Sequence, residues 1–263
     1  MLPKLRTGQV RLIPLRFRLV KPGQSLNDEV IRTVRWSKIK LRNGDILAVA
    51  SKIVSVCERR IVKLQDLSVT RRARRIARKW KMNPLLAQLV LDEADEVLGG
   101  VRGFLLTVKG GMLTANAGVD LKNSPPGTAT LWPSDPDRTA RSLRGALAAE
   151  YSVRVGVILV DSRVTPLRLG TTGLALGISG FFPVEDHRGK RDLYGRKILV
   201  TETNVADDVA AAAHLMMGEV TSKVGAVVIR AAPAKFDSHA DSTGIKLAAR
   251  RCLILSNFWS GHG

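Results

Sequence analysis

The run Thr114-Ala115-Asn116-Ala117-Gly118-Val119-Asp120-Leu121-Lys122-Asn123 ends an apolar stretch by delivering one acid between two amides. A second acid is placed in the same way, where residues 155–160 read as a buried strand that gives way to Asp161-Ser162. Two carboxylates at the ends of two apolar strands have the chemistry of hard-metal ligands. Oxygen donors suit Mg²⁺ or Mn²⁺, whose shells are commonly completed by water and substrate phosphates. Either Asp taken alone has a plainer reading, as the cap of a turn.

Other residues suit anions. In Gly44-Asp45-Ile46-Leu47-Ala48-Val49-Ala50-Ser51-Lys52-Ile53-Val54-Ser55 an apolar run receives Ser51, Lys52 and Ser55. A lysine in such a run is costly to bury unless it meets an anion, so a phosphate or carboxylate partner is expected, against the alternative of a side chain reaching solvent. Arg163 and Arg168 follow Asp161 closely, and guanidinium pairs with phosphate or carboxylate through two parallel bonds. No GxxxxGK[ST] phosphate loop occurs, and the Gly-rich run 170–180 reads as a tightly packed strand. The four His are scattered, with His187 in a charged loop the one to watch.

These residues must be positioned by alternating elements. Strands are expected at 10–15, 45–56, 103–108, 153–160, 173–181 and 225–229, from β-branched content and flanking turns. Helices are expected at 27–34, 66–81, 84–98, 136–151 and 205–217. The fourth helix has Ser134 or Asp135 as N-cap and Pro136 in its first turn; the last carries Asp207 and Asp208 in its first turn. Mixed elements without strict βαβ alternation predict an α+β, or irregular mixed α/β, fold. Two long polar loops, 123–133 and 184–196, have the length of functional loops.

Composition narrows the classes. The 45% apolar content supports a real core, and no apolar run approaches a membrane span of about 20 residues. Only Cys57 and Cys252 are present, outside any CxxC or Cys/His cluster, which favours the cytoplasm and gives no zinc site. The formal charge is +19, of which residues 1–81 carry +17 and the remainder +2. Its densest part, 71–81, reads as a helix with Ile76, Ala77 and Trp80 inside. Such a surface attracts polyanions. Yet residues 1–81 hold only Phe17, Trp36 and Trp80 as aromatics, so no stacking platform for single strands, and no nucleic-acid partner, is expected.

Several motifs in one order resemble the coenzyme F420-0:gamma-glutamyl ligase family. They are Ala50-Ser51-Lys52-Ile53-Val54-Ser55-x-x-Glu58-x-Arg60, then Asn116-Ala117-Gly118-Val119-Asp120-x-x-Asn123, Asp135-Pro136-Asp137 and Val157-Ile158-x-x-Asp161-Ser162. After these come Ala175-Leu176-Gly177-Ile178-Ser179-Gly180, Asp192-Leu193-Tyr194-Gly195-Arg196, and Val205-Ala206-Asp207-Asp208 with Leu215-Met216-Met217-Gly218-Glu219. The likeness runs from about residue 10 to 229, with a weaker echo at Arg250-Arg251-Cys252-Leu253.

The resemblance implies a GTP-dependent acid–amide ligase that adds L-glutamate to the deazaflavin precursor F420-0 through an acyl phosphate, with later residues joined through the gamma-carboxylate. It implies two divalent ions, Mg²⁺ or Mn²⁺, and a K⁺. Asp120 and Asp161 would be ligands of one metal and the chemical centre, with Ser162 by the second. Ser51, Lys52 and Asn123 would contact GTP, and Phe17-Arg18-Leu19-Val20 stands where the family's N-terminal nucleotide strip lies. Glu219 is a further candidate for the nucleotide or metal shell. The family also implies a two-part subunit with mixed sheets and an intertwined homodimer. The ligase domain would span 1–233, with a basic half 1–98, a metal and nucleotide half 99–233, and a tail 234–263.

The chain departs from the family in places. Val56 stands where a nucleotide-contacting Lys is common, Glu58-Arg59-Arg60 replaces Glu-Gly-Arg, Arg230-Ala231 replaces Arg-Gly, and Arg163-Val164-Thr165-Pro166-Leu167 replaces a Gly-Arg-Pro loop. A second reading therefore keeps the ligase scaffold with another acceptor or nucleotide. A nucleic-acid-binding protein is a third, resting on the N-terminal charge alone.

Overall fold

The computed structural model describes residues 9–219 and 222–256. Along the first half run β1 (Arg11–Arg16), α1 (Leu26–Trp36), β2 (Ile46–Ala50), α2 (Ser51–Cys57), β3 (Ile61–Lys63), α3 (Arg71–Trp80) and α4 (Pro84–Glu93). Then come β4 (Glu96–Val101), β5 (Phe104–Lys109), β6 (Met112–Ala115), β7 (Thr128–Thr130) and α5 (Pro136–Tyr151). The chain continues through β8 (Gly156–Val164), β9 (Thr171–Ser179), β10 (Val184–Asp186), β11 (Glu202–Asn204), α6 (Val205–Met217) and β12 (Val224–Arg230). No described helix is long and apolar enough to cross a membrane.

Two compact units result. The larger is built from the chain up to Ile61 and from Thr130 to Gly244; the smaller from Val62–Ala129 and from Ile245 onward. This grouping follows packing.

The larger unit centres on a five-stranded sheet ordered β1-β12-β2-β8-β9. Only β2 and β8 are parallel; the other neighbours are antiparallel, which makes the sheet mixed, as expected. Ile46–Val49, Val157–Val160 and Ala226–Ile229 are almost wholly buried. Continuous apolar runs are needed because helices cover both faces. A bulge in β9, where Leu159 and Val160 face Gly177 and Ala175, reverses the alternation of side chains. Gly173 and Gly177 are therefore turned to opposite faces. A side-chain carbon at Gly173 would collide with the Ala210 carbonyl of α6, and one at Gly177 with Pro136 of α5. Each glycine thus admits one helix at close range.

In the smaller unit β4, β5 and β6 form an antiparallel sheet, and α3 packs on α4. Thr70 caps α3 through a 3.2 Å bond to the Ala73 amide, and its own amide and hydroxyl reach Gln88 of α4.

Four sequence expectations need correction. Residues 45–56 are not one strand: β2 stops at Ala50 and α2 begins at Ser51. Helix 66–81 starts only at Arg71, where Thr70 supplies the cap, after a 3₁₀ turn at Leu64–Asp66. Helix 84–98 stops at Glu93, because pairing with β5 draws Glu96–Val101 into a strand. Strand 153–160 does not end before Asp161, since β8 continues to Val164 against β9.

Candidate functional site

In the larger unit, β2 passes directly into α2, so Ser51 is buried at the first helical position and Lys52 lies in the first turn. The Ser55 hydroxyl donates back to the Ser51 carbonyl at 3.0 Å. Glu58 closes the helix and accepts from the Ser134 amide and hydroxyl (3.0 and 3.1 Å) and from the Thr139 hydroxyl (2.7 Å). The Ala50–Arg60 motif is thus a bracket between the end of β2 and the start of α5. A cavity of about 350 Å³ opens beside it, lined by Ser25, Asn27, Glu58, Ser134, Arg138 and Thr139 among others.

One step further, Arg60 Nε donates to the Trp132 carbonyl at 3.0 Å, and the Trp132 indole N–H donates to Asp161 Oδ2. Trp132 is 4% exposed, so its ring is fixed by packing and orients the Asp161 carboxylate. Sequence reasoning missed this link, because Trp132 lies 29 residues before Asp161 and looked like part of a polar loop.

Asp161 lies opposite Leu174 and Ser162 opposite Gly173, so the two side chains leave β8 from opposite faces. Ser162 shares the α6 face with Val164 and Thr171. On that face the Thr171 hydroxyl donates to Glu219 Oε1 at 2.6 Å, and His214 Nε2 meets the same oxygen at 2.9 Å. The hairpin therefore gathers Ser162 and Glu219 on one side and turns Asp161 to the other.

Arg163 pairs with Asp207 of α6 at 3.2 Å, while its Nε is buried without a hydrogen-bond partner. Arg168 is exposed. Asp207 also accepts from the Ala175 amide at 3.0 Å and from the Asn204 side chain at 2.9 Å, docking α6 on the sheet. His187 meets Thr203 at 3.0 Å and Lys190 at 3.2 Å, a local arrangement of the β10–β11 region.

The N-terminal strip is mixed. The Phe17 amide donates to the Lys223 carbonyl at 2.9 Å, extending the β1–β12 pairing, and its buried ring covers Gly225. Arg18 stacks over Trp36 at 4.1 Å, Leu19 is exposed and Val20 is half-buried.

In the smaller unit, Asn116, Ala117 and Gly118 all take positive φ (50°, 52° and 72°). Two non-glycine residues hold this strained conformation because the loop is bonded to β5. Asn116 Oδ1 accepts from the Leu105 amide, and the Ala117 amide donates to the Thr107 hydroxyl, each at 2.8 Å. Asp120 follows, half-buried, with Oδ1 accepting from the Lys122 amide at 2.8 Å. Asn123, at φ 53°, completes the turn. Of the two amides in this motif, Asn116 builds the loop and Asn123 remains the site candidate. Among the described residues no three His, Cys, Asp or Glu side chains converge on one point.

The sequence profile of F420-0:gamma-glutamyl ligase matches residues 14–231. The chain is 38% identical to the coenzyme F420:L-glutamate ligase of Methanopyrus kandleri over 227 residues, 86% of this chain and 88% of that protein. It is 38% identical to the enzyme of that name from Archaeoglobus fulgidus over 212 residues, covering 81% and 83% of the two chains. With the Haloarcula marismortui protein of that name it shares 34% over 229 residues, 85% and 86% of the two chains. On this span of matching sequence, the chain belongs to the F420-0:gamma-glutamyl ligase family.

Proposed function

We propose that this enzyme forms a C–N bond between L-glutamate and F420-0, driven by GTP, in coenzyme F420 biosynthesis. A carboxylate is a poor electrophile until it is activated. In this reading the acceptor carboxylate attacks the γ-phosphorus of GTP and GDP leaves; the glutamate amine then attacks the acyl carbon, releasing phosphate and a proton. The carrying observation is Asp161, whose carboxylate is oriented by the Trp132 indole inside the span that matches the family.

The donor set suits hard cations. Asp120, Asp161, Ser162 and Glu219 offer only oxygen, the preference of Mg²⁺ and Mn²⁺, and the split of Asp161 from Ser162 and Glu219 supports two binding positions. When bound, two such ions neutralise a triphosphate and hold attacking and leaving oxygens in line. A K⁺ belongs to the same reading. Lys52 takes the nucleotide role of the lysine missing at Val56, because residues four apart share a helix face and α2 contains both. Ser51, Asn123 and the strip Phe17–Val20 complete the nucleotide contacts of this proposal, in which the enzyme acts in the cytoplasm as a homodimer. Arg60 is held by the Trp132 carbonyl, and Arg59 packs against Gly23, so neither is placed for that role.

The test is phosphate release from GTP with Mn²⁺, L-glutamate and F420-0, omitting each in turn and weighing the product. Release that requires F420-0 and adds one glutamate mass is expected. Release with ATP but not GTP would favour the second reading, motivated by Val56. No turnover with either nucleotide would overturn the acceptor assignment.

A further inference from the structure

Helix α3 takes no part in the ligase reading, yet it is the most highly charged element of the chain. It contains Arg71, Arg72, Arg74, Arg75, Arg78 and Lys79 and no acid, and Lys81 follows at its C-cap. All seven cations are exposed, whereas Ala73 and Ala77 are buried and Ile76 and Trp80 half-buried. At 3.6 residues per turn the cations cover roughly half the helix circumference. Arg71, Arg75 and Arg78 form a crest, Arg72 and Lys79 one flank, and Arg74 and Lys81 the other.

The fold does not neutralise this face. Among the described residues no acidic side chain pairs with any of the five arginines. Arg71 with Arg75, Arg74 with Arg78, and Arg75 with Lys79 are like-charge pairs four apart, each mildly unfavourable to the helix. The helix is held by the neutral Thr70 cap and by packing on α4. A bound polyanion would remove the repulsion.

The chemistry of the face selects the polyanion. Arginine matches phosphate with two parallel bonds, so five arginines to two lysines favour phosphodiesters. A membrane-surface helix needs an exposed apolar stripe, and here that stripe is turned inward onto α4. Single strands are gripped by aromatic stacking, and no aromatic lies on the exposed arc. Two cationic flanks call for two phosphate rows, one on either side of a groove that accepts a helix. The B-form major groove, about 12 Å wide, does so, whereas the A-form major groove is too narrow.

We propose that the cationic face of α3 docks in the major groove of double-stranded DNA, with Arg72 and Lys79 on one phosphate strand, Arg74 and Lys81 on the other, and the crest residue Arg78 reaching the second strand beside Arg74. The face carries no amide or carboxylate to discriminate adenine or cytosine, so base readout is confined to the guanine edges that the crest arginines can bond.

Fluorescence anisotropy of the full chain with a labelled mixed-sequence DNA duplex of about 25 base pairs tests this. Binding should weaken with salt on a log–log slope of about −4 for four phosphates. The triple variant Arg72→Gln, Arg74→Gln, Arg78→Gln should lower affinity more than tenfold and make the slope shallower by about 3. The charge-retaining triple Arg72→Lys, Arg74→Lys, Arg78→Lys should keep the slope, and circular dichroism should show both variants folded. A control of equal charge change in the larger unit, Lys38→Gln, Lys40→Gln, Arg141→Gln, should leave the slope unchanged. The proposal fails if the duplex does not bind at 50 mM salt, or if the control loses as much as the α3 triple. It also fails if an RNA duplex or vesicles with anionic lipid bind more tightly than DNA.

Discussion

The carboxylates of the larger unit and the arginines of α3 are charges used in opposite ways. Asp45 is 1% exposed, gripped through both oxygens by Arg230 (2.9 and 2.8 Å) and by the Arg42 amide. Asp137 accepts from the Ile178 amide, the Ser242 amide and the Ser242 hydroxyl, tying α5 to β9. Glu58 ties the end of α2 to Ser134, just before α5, through two bonds and to Thr139 of α5 through a third. Each of these acids is cancelled by short directed bonds and so fixes geometry inside the larger unit. Among the described residues the α3 arginines have no such partners, and their effect reaches outward as a field. Charge that is locally cancelled builds a site, while charge that is left uncancelled advertises one.

Removing a cancelled acid should have the largest effect. Asp45→Ala leaves Arg230, whose guanidinium pKa is raised by this carboxylate, half-buried with only the Lys40 carbonyl as a partner, and should cost about 3–5 kcal/mol in urea unfolding. A loss below about 1 kcal/mol would break the comparison. Asp137→Ala should cost about 2–3 kcal/mol by the same assay, with Asp137→Asn recovering part of it, because an amide oxygen still accepts from Ile178.

A buried group kept neutral sharpens the contrast. Burial, helped by Glu29 and Glu58, pushes the Cys57 thiol up to about 11. The folded chain then holds a proton that the unfolded chain releases above about pH 9, so this contribution to stability is present below pH 9 and is lost as pH rises towards 11. Alkylation of Cys57 at pH 8 should accelerate about a hundredfold on unfolding, since thiolate is the reacting form. Equal rates in the two states would remove Cys57 from the comparison. The smallest effect is expected at the uncancelled charges: Arg74→Gln alone should change unfolding free energy by less than about 0.5 kcal/mol. A larger loss would show that α3 is tied inward after all.

Where local chemistry decides, the sequence was enough. Helices α5 and α6 run from Pro136 to Tyr151 and from Val205 to Met217 as expected, because Asp135 and Asn204 cap their first turns and acids follow. Where pairing or packing decides, it was not. No side chain caps α2 at Ala50, so nothing in the β-branched run 46–56 signals the change from strand to helix. Helix α4 gives way to β4 only because β5 is there to pair with it. The site divides in the same way. Asp120 and Asp161 were legible as acids ending apolar runs. The indole that orients Asp161, the Glu58 bracket and the turning of Asp161 and Ser162 to opposite faces depend on contacts between distant segments.

The position of β12 has a consequence for how the chain comes into being. Its residues 224–230 fit between β1 and β2, and even the later of these, β2, is synthesised about 180 residues earlier. At translation rates of roughly 5–20 residues per second, that wait lasts about 10–40 seconds. During it β8 and β9 can complete one side of the sheet, but the other edge of β2, Ile46-Leu47-Ala48-Val49-Ala50, has no strand to meet. A bare apolar edge invites pairing with another nascent chain. Production of this protein should therefore be most vulnerable to aggregation late in translation, and a chain cut before Val224 should be insoluble although the residues named in the proposed site, Glu219 included, have already been made.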